Sequence, residues 1–246
     1  MTHNIMKHLL FFCIFCFFVT FRGHTQADND TINHFLEKYS AYKTLQIDRH
    51  DLLAVSALYY QIDDKDTAWA DIIIKVREKR IVDLSVTGLN KTNLPESLCR
   101  LDALEGLIIK GCYFCQLPSL APFPALKYLG VWTSRLQDTI LVDISYKNLE
   151  GLGLHQFHAK SIKFAENLNI KTLYVVDGNI MKLDKSFKNL KNLEEIHLGG
   201  NKLETFDLSM LPKLKKVNCY RNIIPTIHRK LLKSKHANIM INFDEY

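Results

Sequence analysis

Leu193-Glu194-Glu195-Ile196-His197-Leu198-Gly199-Gly200-Asn201-Lys202-Leu203 is echoed 21 residues later by Leu214-Lys215-Lys216-Val217-Asn218-Cys219-Tyr220-Arg221-Asn222-Ile223-Ile224. Apolar residues fall at the first, fourth, sixth and eleventh places of both stretches, with Asn at the ninth. In a strand, alternate side chains face opposite ways, so the fourth and sixth residues point together and their neighbours point away. One such unit is too small to bury its own apolar face. Stacked copies bury it in a continuous core and align the strands into a parallel sheet.

The spacing persists upstream in looser spelling. Leu104, Leu107, Ile109 and Phe114 form one unit, and Leu126, Leu129, Val131 and Leu136 another. Leu149, Leu152 and Leu154, with Ala159, form a third; Ile170, Leu173, Val175 and Ile180 form the next. Val82, Leu84 and Leu89 open the series, followed by Leu94-Pro95-Glu96-Ser97-Leu98, and Ile239 and Ile241 close it. Strand starts at 82, 107, 129, 152, 173, 196, 217 and 239 give gaps of 25, 22, 23, 21, 23, 21 and 22 residues. The pattern resembles the leucine-rich-repeat family, whose units run to about 20–29 residues. The resemblance implies an α/β solenoid: a right-handed coil with a parallel, concave β-sheet, in about seven and a half repeats over 81–246. The Asn slot is expected to satisfy loop backbone from inside the coil. Asn201 and Asn222 fill it, Thr87, Cys112 and Ser134 are small polar substitutes, and Phe157 and Gly178 depart from it. One register is ambiguous, because Tyr174, Val176, Asn179 and Met181 also fit; the reading that displays Tyr174 sends Leu173 and Leu183 to the core.

Residues 28–80 have another rhythm. Ile32, Phe35, Leu36, Tyr39 and Tyr42 recur at helical spacing after Asp30, an expected N-cap. Leu52 to Tyr60 reads as helix, and Thr67 precedes a further amphipathic stretch of Trp69, Ile72, Ile73 and Val76. Terminal repeats need a polar-faced cover, so this segment is expected to be a helical N-terminal cap. Ahead of it, Lys7 precedes an apolar run from Leu9 to Phe21, broken only by Thr20 and ended by Arg22. Its thirteen residues reach only about 20 Å, short of a ~30 Å hydrocarbon core. With Thr25 and Ala27 placed for cleavage, residues 1–27 read as a signal peptide and the chain as exported: secreted, periplasmic or at the cell surface. An uncleaved anchor is the alternative. Phe12 and Phe15 before Cys13 and Cys16 argue against a lipid-modified cysteine, and no run of 18 apolar residues gives the mature chain a membrane span.

The 246 residues carry a net charge of +6, with 47% apolar and 24% charged side chains, so wholesale disorder and a dedicated nucleic-acid binder are both disfavoured. No catalytic motif stands out, so no catalytic residue, metal or cofactor is expected. Cys112 and Cys115 form a lone C-x-x-C with no second pair at metal spacing. Cys99 and Cys219 complete the post-signal cysteines, whose pairing stays open. His155, His158 and His197 leave a metal-binding or hydrolytic alternative. In the resembled family, function lies on the concave face. There Trp132, His155, Tyr174, His197 and Tyr220, with neighbouring Arg221, form an expected ligand-binding band, beside which Gly130, Gly153 and Gly199 would make shallow pockets. The expected partner is a protein or a glycan. Lys213 to His236, rich in Lys and Arg without Asp or Glu, reads as a solvated basic cap.

Overall fold

The computed structural model describes residues 26–62, 71–89, 91–133, 135–136 and 138–244. Residues 1–25 of the expected signal peptide, Thr67, Trp69 and Ser134 lie outside the described residues. The chain divides into two compact units, Met1–Leu45 and Gln46–Tyr246. In the first, helix α1 (Gln26–Lys38) runs into a short 3-10 turn (Ser40–Thr44). The rings of Phe35, Tyr39 and Tyr42 cluster with centroids 4.9–6.2 Å apart, the periodic set anticipated above. Asp30 is not the N-cap, since α1 starts four residues earlier.

The second unit opens with helix α2 (Arg49–Tyr59), capped by Asp48, whose side chain accepts from the His50 amide at 2.8 Å. Next comes strand β1 (Asp71–Arg77), where Ile72, Ile73 and Val76 had suggested helix. β1 pairs antiparallel with β2 (Arg80–Thr87) through a tight turn at Glu78 and Lys79, both at positive φ. The β-branched run Ile72-Ile73-Ile74 suits a pleated surface, and that local pairing overrides the weaker helical spacing. Thus 28–80 is not uniformly helical. Buried Asp51 ties α2 to the sheet: it accepts from Arg80 Nε and Nη2, each at 3.0 Å, and from the Ile81 amide at 2.8 Å.

From β2 onward the strands add in parallel: β3 (Gly106–Lys110), β4 (Tyr128–Trp132), β6 (Gly151–His155), β8 (Thr172–Val176), β9 (Glu195–His197), β10 (Lys216–Asn218) and β11 (Met240–Asn242). With β1 they make a nine-stranded, mostly parallel sheet among the described residues. A second, two-stranded parallel sheet, β5 (Thr139–Val142) with β7 (Ser161–Phe164), lies on the return segments of two neighbouring repeats. It buries Ile140, Val142, Ile162 and Phe164. Helix α3 (Thr226–Lys235) joins β10 to β11.

Cross-strand register aligns Leu84, Leu107, Leu129, Leu152, Leu173, Ile196, Val217 and Ile241. All eight are buried, and the six inner positions are those the template picks. At the two ends the expected starts, Val82 and Ile239, are each displaced by two residues. Val82, Leu84 and Val86 alternate evenly, as do Ile239, Ile241 and Phe243, and a two-residue slip leaves the inward face unchanged. The Asn slot of the first repeat therefore falls on buried Leu89 and not on Thr87. Tyr174 is displayed, 38% exposed, while Leu173 is fully buried; Leu183 is only half-buried, and Phe187 fills the core there.

Asn201 and Asn222 act as expected. Asn201 Nδ2 donates to the carbonyls of Val175 (2.6 Å), Leu198 (3.0 Å) and Gly199 (3.2 Å), and its Oδ1 accepts from the Ile180 amide at 3.2 Å. Asn222 repeats this toward Leu198, Cys219, Tyr220 and the Leu203 amide. In the middle, Thr133 takes a similar role: its hydroxyl donates to the Cys112 carbonyl at 2.7 Å and accepts from the Arg135 amide at 3.1 Å. Phe157 is buried, and its ring occupies the space a side chain at Gly178 would need, with Cζ 2.4 Å from an ideal Cβ.

Two further periodicities were not anticipated. The backbone leaves most strands through a left-handed residue: Gly88, Gly111, Gln156, Asp177, Gly200 and Arg221 sit at equivalent places with φ between 52° and 79°. Below the strands, Glu105, Lys127, Glu150, Lys171, Glu194 and Lys215 alternate in sign at one position of six successive repeats. Each Lys pairs with the preceding Glu, at 3.4, 2.8 and 2.6 Å.

Candidate functional site

Strand alternation displays Lys110, Trp132 and His155 in one register row and Tyr174, His197, Asn218 and Asn242 in the row two residues earlier. The side chains run on from one row to the other as a single stepped column across the face of the sheet. Lys110 on β3 sets its Nζ over the Trp132 ring, 5.2 Å from the centroid. Trp132 stacks on His155 of the next strand, with centroids 4.1 Å apart and planes 2° from parallel. His155 faces Tyr174 at 6.4 Å, and Tyr174 stacks on His197 at 4.1 Å and 17°. Beyond the rings the column continues in hydrogen bonds: His197 Nδ1 meets Asn218 Nδ2 at 2.9 Å, and Asn242 Nδ2 donates to Asn218 Oδ1 at 3.2 Å. The structure thus joins four of the expected band residues into one stack. Tyr220 stands apart with its ring over Gly199, where an added Cβ would come within 2.4 Å of it, so no shallow pocket opens there. Arg221 is exposed at a left-handed turn.

Beside the column, over Gly130 and Gly153, lies an open groove of about 510 Å³. Ile108 and Tyr174 bound it across the strands, and Tyr128 closes its lower end. Trp132 and His155 form the upper end, their ring edges leaning back over the two glycines: ideal Cβ atoms there would lie 2.8 Å from Trp132 Cζ3 and 3.4 Å from His155 Nε2. The floor is flat because two neighbouring strands carry glycine at the same register. Tyr128, 53% exposed, is the wall that reading the L-x-L pair overlooked. It precedes Leu129 by one residue, so strand alternation alone would have displayed it.

The electrostatics are sparse. Burial pushes the His155 imidazole below its ordinary value; Asp177 opposes this and Lys110 reinforces it. His197 is held between Glu195, at 2.7 Å, and Asn218, and Glu195 also meets Lys216 at 2.7 Å. His158 is exposed and faces Asn179 at 3.4 Å. Tyr174 separates His155 from His197, so the three histidines do not converge. Among the described residues the one cluster of three metal-ligating side chains is Asp48, His50 and Asp51, where Asp51 is already held by Arg80.

The four cysteines among the described residues are thiols. Burial raises the pKa of Cys112 and pushes that of Cys219 up to about 12, as befits small apolar core residues. In the basic stretch, Lys213 donates to Asn192, Lys235 pairs with Asp207, and Arg229 and Lys233 lie over Phe243. Those cations are engaged on the molecule itself. Among the described residues no helix is long and apolar enough to cross a membrane.

No family model matches the sequence, and no curated protein matches it. Among solved structures, the leucine-rich-repeat domain of the type III effector XopL superposes with a TM-score of 0.51 at 16% identity, over 91% of this chain and 97% of that one. A leucine-rich-repeat protein of Leptospira interrogans aligns at TM-score 0.48 and 19% identity, over 66% of this chain and 48% of its own. An internalin of Listeria monocytogenes aligns at 0.29 and 14%, over 65% and 66%. This chain therefore spans about half the length of the Leptospira protein. At these identities the likeness is one of fold.

Proposed function

We propose that this leucine-rich-repeat chain is a recognition module that binds a partner protein on the displayed face of its parallel sheet. The observation that carries the reading is the groove over Gly130 and Gly153, an apolar hollow bounded by aromatic side chains on an otherwise regular repeat surface. Exposed aromatic clusters of this kind are over-represented at interface hot spots. Trp132, His155 and Tyr174 form its centre, and His197, Tyr220 and Arg221 extend it toward the C-terminal repeats. The array is a curved solenoid with this face concave, and α2 serves as its N-terminal cap. The module works outside the cytoplasm, a reading that rests on the apolar run from Leu9 to Phe21 with Thr25 and Ala27 behind it. It acts by binding and not by catalysis.

The test is affinity capture from the native extracellular setting with wild-type chain, Trp132→Ala, Tyr220→Ala, and the double charge reversal Lys230→Glu with Lys233→Glu. The face variants should lose the captured protein, by about 2 kcal/mol or more at Trp132, while melting near the wild-type temperature. The tail variant should alter mainly the salt dependence. If the tail variant alone abolishes capture, the face is not the site; if a glycan is captured, the partner class is wrong.

A further inference from the structure

We infer that the groove over Gly130 and Gly153 is a slot for one aromatic residue at the C-terminal end of a partner chain, with its α-carboxylate on Lys110. This rests on the proposed function and adds the chemistry of the ligand. The orientation of the rings decides the class. In the column the faces of Trp132 and His155 are turned on one another, on Lys110 and on Tyr174, so what they offer the slot is their edges. Aromatic edges carry the positive end of the ring quadrupole and favour the negative face of another ring in an edge-to-face contact. A cation would need ring faces and meets the Lys110 ammonium instead. A sugar would likewise need an open ring face to stack on, and none is free in the stacked pair.

The dimensions agree. Ile108 and Tyr174 stand on strands three spacings apart, about 14 Å between backbones. Between them lie the two glycine strands, leaving room for one ring. Lys110 is two residues beyond Ile108 on the same strand face, about 7 Å along it. One amino acid spans that distance from side-chain ring to α-carboxylate. Lys110 is exposed, and its charge complements a carboxylate at the groove's upper corner.

The probes are N-acetylphenylalanine, N-acetylphenylalaninamide, tetramethylammonium and cellotetraose, titrated into the full exported chain while amide and indole NMR signals are followed. N-acetylphenylalanine should bind with a Kd of about a millimolar, as expected for a ligand of its size, and shift Gly130, Gly153 and the Trp132 indole. The neutral amide should bind about two- to fivefold more weakly, and Lys110→Met should erase that difference. Gly153→Leu should fill the slot and abolish both; a Cβ there meets its nearest neighbours at 3.4 and 3.7 Å, an ordinary contact. Tyr128→Ala, at an exposed wall, is the second variant and should weaken both phenylalanine probes without lowering Tm. Equal binding of acid and amide overturns the carboxylate assignment. If tetramethylammonium or cellotetraose takes the slot instead, this inference falls while the displayed face stands as a binding surface. If no probe moves a signal, the slot is not a site, and the proposed function is judged by the capture experiment alone.

Discussion

The last two full repeats and the middle three solve the same problem differently. At the C-terminal end, Asn201 and Asn222 each satisfy three carbonyls and one amide, and the displayed face above them is a hydrogen-bonded run from His197 to Asn242. In the middle, Phe157 fills the Asn slot with a ring, Gly178 empties the next, and an extra two-stranded sheet forms on the return side. The groove lies over these irregular repeats. The comparison teaches that inward slot chemistry and outward surface chemistry vary together along one array, so the repeats least faithful to the pattern are those that carry a distinctive surface.

The largest test of that contrast is Phe157→Ala, which should cost about 3–5 kcal/mol in urea unfolding, as buried phenylalanine truncations do. A cost below about 1 kcal/mol would mean that the middle repeats do not depend on that apolar plug. Asn201→Ala removes the polar counterpart and strands the Ile180 amide, while the Leu198 carbonyl keeps Asn222 and the Gly199 carbonyl keeps the Asp177 amide; about 2 kcal/mol is expected from the same measurement. It should also speed hydrogen exchange at Ile180 before it does so at Leu203, whose amide is held by Asn222. Gln156→Gly should stabilise the middle by about 1 kcal/mol, because Gln156 is held at φ 57° where a side chain is strained. The smallest effect is with pH. Since His155 is harder to protonate folded than unfolded, its contribution is fully present above about pH 6.5 and is lost as pH falls through and below that value. His155→Gln should flatten that part of the stability–pH curve, and an unchanged curve would remove His155 from the account.

The repeat and its inward face were legible because Leu107, Leu129, Leu152 and their equivalents keep both spacing and residue type. Asn201 and Asn222 were legible for the same reason. The ends were not: at Val82 and Ile239 the alternation is even, and nothing local distinguishes one inward residue from the next. Strand β1 was missed because its apolar residues fit both periods and only pairing with β2 decides between them. Of the candidate site, residue identity could be read but ring orientation could not. Trp132, His155, Tyr174 and His197 were placed on one face by counting. Their stacking, which turns edges and not faces toward the groove, depends on glycines two residues earlier giving the Trp132 and His155 rings room to lean. Tyr220 has Asn218, not glycine, two residues earlier; its ring lies across Gly199 of the preceding repeat and leaves no hollow there.

The alternating row from Glu105 to Lys215 has a consequence for how such a chain can lengthen or shorten. Duplicating or deleting a single repeat within it would set Glu beside Glu or Lys beside Lys, a small penalty at each exposed contact. Inserting or removing two repeats together restores opposite neighbours throughout. By charge alone the natural quantum of growth is therefore a pair, although by backbone geometry it is one.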